Sequence, residues 1–78
     1  MTDRSDGKLD AVITQVVPDK GYALALDDHG VSYFCYVTHF AVLGAYEFRD
    51  LVRGSRVRLR PISGPKGPRG LEIEIVAL

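Results

Sequence analysis

Two short stretches of this 78-residue chain carry side chains with a definite chemistry. Lys20-Gly21-Tyr22-Ala23-Leu24 sets one aromatic ring just after a glycine, and Tyr33-Phe34-Cys35-Tyr36 supplies more rings in a second apolar stretch. Successive side chains of a strand point to opposite faces, so Phe34 and Tyr36 share one face while Tyr33, Cys35 and Val37 share the other. A core needs one of these faces. Small Cys35 flanked by Tyr33 and Val37 suits a tight interior, which leaves Phe34 and Tyr36 outside, with Tyr22 beside them on a neighbouring strand. An aromatic platform on an open sheet face is the physical device for stacking unpaired bases. Lys20, just before the first ring, stands where it can meet a phosphate.

The elements that must position these rings are short. The β-branched stretch within Leu9 to Val17 reads as a first strand. Pro18-Asp19-Lys20-Gly21 is a turn, and Tyr22 to Leu26 is a second strand. Asp27-Asp28-His29-Gly30 is a hairpin signal, after which Val31 to Val37 forms a third strand. Residues 38–50 make a long connection with a helical turn expected around Thr38 to Leu43, interrupted by Gly44. Arg56 to Ile62 alternates, with Val57 and Leu59 to one side and Arg56, Arg58 and Arg60 to the other, as a half-buried strand does. Ser63 to Gly70 reads as a turn-rich loop. Leu71 to Val76 is the last strand, with Leu71, Ile73 and Ile75 on one face and Glu72 and Glu74 on the other. Five short strands without a long helix predict an all-β domain, and for so short a chain a closed antiparallel five-stranded barrel is economical, because closure removes exposed edges. Residues 1–8 are expected to be a flexible tail and residues 9–78 a single domain.

Composition narrows the function. Hydrophobic residues make up 46% of the chain, too many for a disordered segment. No apolar run approaches the roughly 18 residues of a membrane span, and the polar start lacks the apolar stretch of a signal peptide, so a cytoplasmic location is expected. The zero net charge conceals an asymmetry: residues 1–48 carry three basic and seven acidic side chains, and residues 49–78 carry seven and three. A basic half can follow a phosphate backbone or simply be a solvated face balancing the acidic loops, and for Arg56, Arg58 and Arg60 the solvated face is the expectation. Ser, His and carboxylate residues show no triad spacing, and two His with one Cys are too scattered for a metal site. The Gly-rich segment lacks the Lys-Ser/Thr ending of a phosphate loop. No enzyme, metal or cofactor is expected. Cys35 reads as a buried small hydrophobe, His29 as an exposed turn residue and His39 as a loop residue.

The order of these motifs resembles that of the bacterial cold-shock proteins, from about Leu9 to Leu78. Asp19-Lys20-Gly21-Tyr22-Ala23-Leu24 is similar to the family's Lys-Gly-Phe-Gly-Phe signature, and Tyr33-Phe34-Cys35-Tyr36 to its Val-Phe-Val-His motif. Phe48-Arg49-Asp50-Leu51 followed by Gly54 resembles the segment before the fourth strand, and Gly64-Pro65-Lys66-Gly67-Pro68 resembles the loop between the last two. The resemblance implies an OB-fold barrel that binds single-stranded RNA or DNA on strands one to three, as an RNA chaperone or a cold-shock or transcription regulator. It implies Phe48 at the rim of the platform, and backbone contacts from Arg49, Lys66 and Arg69. The chain departs from the pattern at Gln15, where the family has an exposed Trp, and at Ala23, Leu24, Tyr36 and Val37. Fewer stacking positions predict weaker or differently selective binding. Base selectivity should be low, and zero net charge predicts a shallower salt dependence than that of a strongly basic binder. The rival expectation is a protein-interaction module or homodimer: if Val16, Val17 and Leu24 face outward beside Tyr22, the platform becomes an apolar patch.

Overall fold

The computed structural model describes residues 7–41 and 46–78. Within them the chain forms strands β1 (Leu9–Val17), β2 (Tyr22–Leu26), β3 (Ser32–Tyr36), β4 (Arg56–Gly64) and β5 (Gly67–Ala77). Single 3₁₀ turns at Pro18–Lys20, Val37–His39 and Phe48–Asp50 join or precede them. The strands close into a five-stranded barrel in the order β1-β2-β3-β5-β4, with β4 returning to β1, an OB-type arrangement. Every pairing is antiparallel except β3 with β5, where Phe34 pairs in parallel with Arg69. A second parallel bridge, Phe40 to Ile73, continues that seam. The expected tail falls largely on Met1 to Asp6, and the expected helical turn partly on Val42, Leu43 and Gly44; these residues lie outside the described ones. The described part of that turn is Val37–His39 alone.

Strand alternation decides what goes inside. Ala11 and Ile13 on β1, Ala23 and Ala25 on β2, Tyr33 and Cys35 on β3, Val57 and Leu59 on β4 and Ile73 on β5 are buried, joined by Leu51. Small residues on β2 and β3 leave room for the larger ones facing them across a narrow barrel. The Tyr33 ring is buried, and its hydroxyl donates to Asp27 Oδ2 at 2.9 Å, so its polar end is satisfied at the barrel mouth. Val37 does not join this interior as expected: β3 ends at Tyr36, the backbone turns, and Val37 is 43% exposed.

Bulges on β1 and β5 overrule simple alternation. On β1, Ile13 pairs with Ala25 but Gln15 pairs with Leu24, so Thr14 is an extra residue. Beyond it Gln15 shares a face with outward Leu24, and Val16 shares a face with buried Ala23 and packs on the core. On β5, Arg58 pairs with Glu74 and Arg60 with Leu71, which leaves an extra residue there too, and Glu72 sits at a positive φ of 49°. Leu71 therefore shares the outer face of Arg60 and not the inner face of Ile73, against expectation. Gly70 points inward instead, and a Cβ there would lie 3.1 Å from Leu59 Cδ2.

The segment expected as a loop over Ser63 to Gly70 is mostly strand. Ser63 pairs with Pro68 and Gly64 with Gly67, so only Pro65 and Lys66 form the turn. Gly67 takes φ +114°, which a side chain would resist, and this lets so tight a connection close.

Candidate functional site

The rings come together where alternation places them. Tyr22 pairs with Tyr36, and Leu24 with Phe34, across β2 and β3; buried Ala23 and Cys35 between them fix this face as the outer one. Phe34 and Tyr36 lie nearly parallel, 14° apart, with centroids 6.0 Å apart. Tyr22 meets Phe34 edge-on at 5.6 Å and Tyr36 at 6.1 Å. All three are half-buried. They support one another sideways, which holds their orientation without covering them. Gln15 and Leu24 continue the Phe34 row onto β1 and β2, and Val17 continues the Tyr22 row.

Gly21 sets the entry to this face. It adopts the left-handed conformation (φ +73°) that ends the Pro18–Lys20 turn, and its N–H donates to the Pro18 carbonyl at 3.1 Å. Its own carbonyl accepts from the Val37 N–H at 2.8 Å, which clamps the end of β3 beside the start of β2. Exposed Lys20 ends the same turn, two residues ahead of Tyr22.

The basic residues divide into two groups. On the opposite side of the barrel, Arg58 lies 3.6 Å from Asp10 and 3.9 Å from Glu74, Lys8 lies 2.9 Å from Glu74, and Arg60 lies 2.7 Å from Glu72. The charge of Arg58 and Arg60 is met by carboxylates of neighbouring strands. Lys66 and Arg69, by contrast, pair with no carboxylate among the described residues. The Arg69 guanidinium lies 6.0 Å from the centroid of the Tyr36 ring, within cation–π range. Tyr36, Pro65, Lys66 and Arg69 enclose a slot of about 160 Å³.

Five of the expected site residues, Tyr22, Phe34, Tyr36, Lys66 and Arg69, thus form one continuous surface, with Lys20 at its edge in sequence. Phe48 and Arg49 have other partners. The Phe48 ring meets Phe40 edge-on at 5.2 Å and packs against the core, and Arg49 lies 3.2 Å from Glu47. Pro65 belongs to the surface although sequence reasoning gave it no contact role, and Leu24 and Val17 lie on it where the rival reading set them, beside Tyr22, whereas Val16 turns to the core.

A second cavity, of about 540 Å³, opens at the other end of β2, where Asp10, Asp27 and Asp28 outnumber Arg56 over apolar Val12 and Leu26. Its acidity makes it a poor host for phosphate. Asp27 is a structural cap there: its Oδ1 accepts from the Val31 N–H at 2.9 Å and the His29 N–H at 2.8 Å. The bond from Val31 foremost, then those from Tyr33 and His29, hold its carboxyl below the usual carboxylate range against a smaller opposing effect of burial. Burial pushes the Cys35 thiol up to about 12, so it carries no nucleophile at neutral pH. Among the described residues no group of three His, Cys, Asp or Glu is placed to hold a metal ion, and no helix is long and apolar enough to cross a membrane. Compared with known proteins, the chain matches no family model and no curated protein.

Proposed function

We propose that this barrel binds single-stranded RNA or DNA by stacking bases on Tyr22, Phe34 and Tyr36. The observation that carries the reading is the ring cluster itself: three mutually braced, half-exposed aromatics on one outer face, bordered by Lys66 and Arg69 with no carboxylate partner among the described residues. Stacking needs a π-face and not a particular base edge, so selectivity is low. Duplexes keep their bases paired and offer little to such a surface. The motif order shared with cold-shock proteins supports the same reading, and with it a non-enzymatic, cytoplasmic role in RNA chaperoning or transcription control. The test is a fluorescence-anisotropy titration against labelled oligo-dT and oligo-U beside a matched duplex. Saturable binding of the single strands alone is expected; equal binding of the duplex, or none of either at high micromolar protein, would sink the reading.

The second reading is a protein-interaction or self-associating module on the same face, favoured by outward Leu24 and Val17 beside the rings. It predicts a concentration-dependent mass in sedimentation together with no oligonucleotide binding.

A further inference from the structure

β2 ends at Leu26, opposite Val12, while β1 continues beyond that point from Ala11 to Leu9 along β4. The groove of about 540 Å³ lies at this step. Its outer row runs across four strands: Leu26 pairs with Val12, Val12 with Arg56, and Arg56 with Ala77. Val76 is an extra residue of β5 here, because Ile75 pairs with Val57 and Ala77 with Arg56. Val12, Leu26 and Val76 keep 41%, 40% and 52% of their surface exposed. Apolar side chains scattered singly over a surface need no explanation, but three lining one groove mark a place of contact.

The rim sets the sign of the charge. Asp10 lies 3.6 Å from Arg58. Both oxygens of Asp27 accept hydrogen bonds within the fold, which keep its carboxyl ionised. Exposed Asp28 has no ion-pair or hydrogen-bond partner among the described residues. Against these three carboxylates the groove sets Arg56, so it lacks positive charge and repels an anionic ligand. A cation with apolar neighbours complements it. The floor is too open to hide a small molecule, which a ligand pocket covers by about 70–90%. A chain segment lying across the strands needs cover on one side only.

We infer that this groove docks a peptide segment of a partner protein in which lysine or arginine stands beside leucine, valine or an aromatic residue. The apolar side chains settle on Val12, Leu26 and Val76, and the cation reaches Asp28 at the rim. Tyr22 and Leu26 stand at opposite ends of β2, about 13 Å apart at a rise of ~3.3 Å per residue, so the rings stay open while the groove is filled. Filling it does not depend on what those rings bind.

The test pans a phage-displayed random-peptide library on the full chain, with an Asp28→Lys, Val76→Ser double variant as the counter-target. Enriched sequences should join lysine or arginine to aliphatic or aromatic residues. A synthetic peptide of the enriched sequence, titrated into ¹⁵N-labelled protein, should shift the amide resonances of Val12, Leu26, Asp28 and Val76 saturably and leave those of Tyr22, Phe34 and Tyr36 in place. Asp28→Lys should weaken the peptide about fivefold, the upper worth of one exposed ion pair, and Val76→Ser should weaken it several-fold. Both residues are exposed, so each variant should keep the parent's melting temperature. Spermidine, which carries the charge without the apolar side chains, should not displace the peptide. Displacement by micromolar spermidine reduces the groove to a patch of charge and overturns the inference. So does a library that enriches nothing over the double variant. A peptide that shifts the ring resonances instead also overturns it, and favours the interaction reading of the aromatic face. A sedimentation mass that rises with concentration while the groove resonances shift assigns the groove to a second copy of the chain, and likewise overturns it.

Discussion

Replacing Tyr36 with alanine removes the ring on which the candidate site converges. Tyr36 stacks against Phe34 at 6.0 Å, braces Tyr22 at 6.1 Å, and lies 6.0 Å from the Arg69 guanidinium. One stacked base contributes roughly 1–3 kcal/mol. The cation–π contact at an exposed site adds about 0.5–1 kcal/mol to the fixing of Arg69. Together they predict a loss of about 1.5–4 kcal/mol in binding, which is about a 10- to 700-fold rise in Kd. Stability should fall less: two aromatic neighbours at about 0.2–1 kcal/mol each amount to no more than about 2 kcal/mol. The assay is the oligo-dT titration, with circular dichroism and a urea melt to show that the variant is folded. Tyr36→Phe keeps the ring and should bind within about threefold of the parent, because the π-face is what stacks. A folded Tyr36→Ala protein whose affinity stays within about twofold of the parent would refute the stacking argument.

Leu24→Phe places a fourth ring in the row between Gln15 and Phe34 and should tighten oligonucleotide binding by about fivefold or more, read by the same titration. Gly70→Ala drives a methyl to within 3.1–3.2 Å of Leu59 in the core and should lower the urea midpoint by the equivalent of about 1–3 kcal/mol. Asp27 ionises more readily in the folded chain, so its contribution is complete above pH ~4 and is lost as pH falls through the lowered native value; Asp27→Asn should flatten this acid limb of a melting-temperature profile. Tyr33 is shifted the other way, first by burial and then by its bond to Asp27. Its contribution is present below pH ~10 and lost as pH rises through the raised native value, so Tyr33→Phe should remove that alkaline decline. Cys35 should react with an aromatic disulfide reagent only as fast as the barrel opens, because the folded thiol is buried and protonated; a rapid stoichiometric reaction of native protein would contradict the core assignment.

Much of this barrel was legible in local pattern. Alternation over residues 33–36 sorts Tyr33 and Cys35 from Phe34 and Tyr36, because a two-residue period is a property of any extended chain with one buried side. The same logic sorts Val57 and Leu59 from Arg58. Five strands separated by turn residues, in so short a chain, pointed to a small barrel or sandwich and made the closed barrel the economical choice. Three things were decided only by tertiary structure. The bulges at Thr14 and Glu72 each invert a face, turning Val16 inward and Leu71 outward, and a bulge is set by the partner strand's register, which no local pattern records. The Gly/Pro-rich segment became strand because β4 and β5 pair almost to their ends around Pro65 and Lys66. The meeting of Arg69 with Phe34 and Tyr36 depends on a parallel seam between β3 and β5, elements far apart in sequence. The chain's own alternation determined which rings would be offered to solvent. Closure of the barrel decided which cations would stand beside them, since side-chain periodicity is local and strand neighbourhood is not.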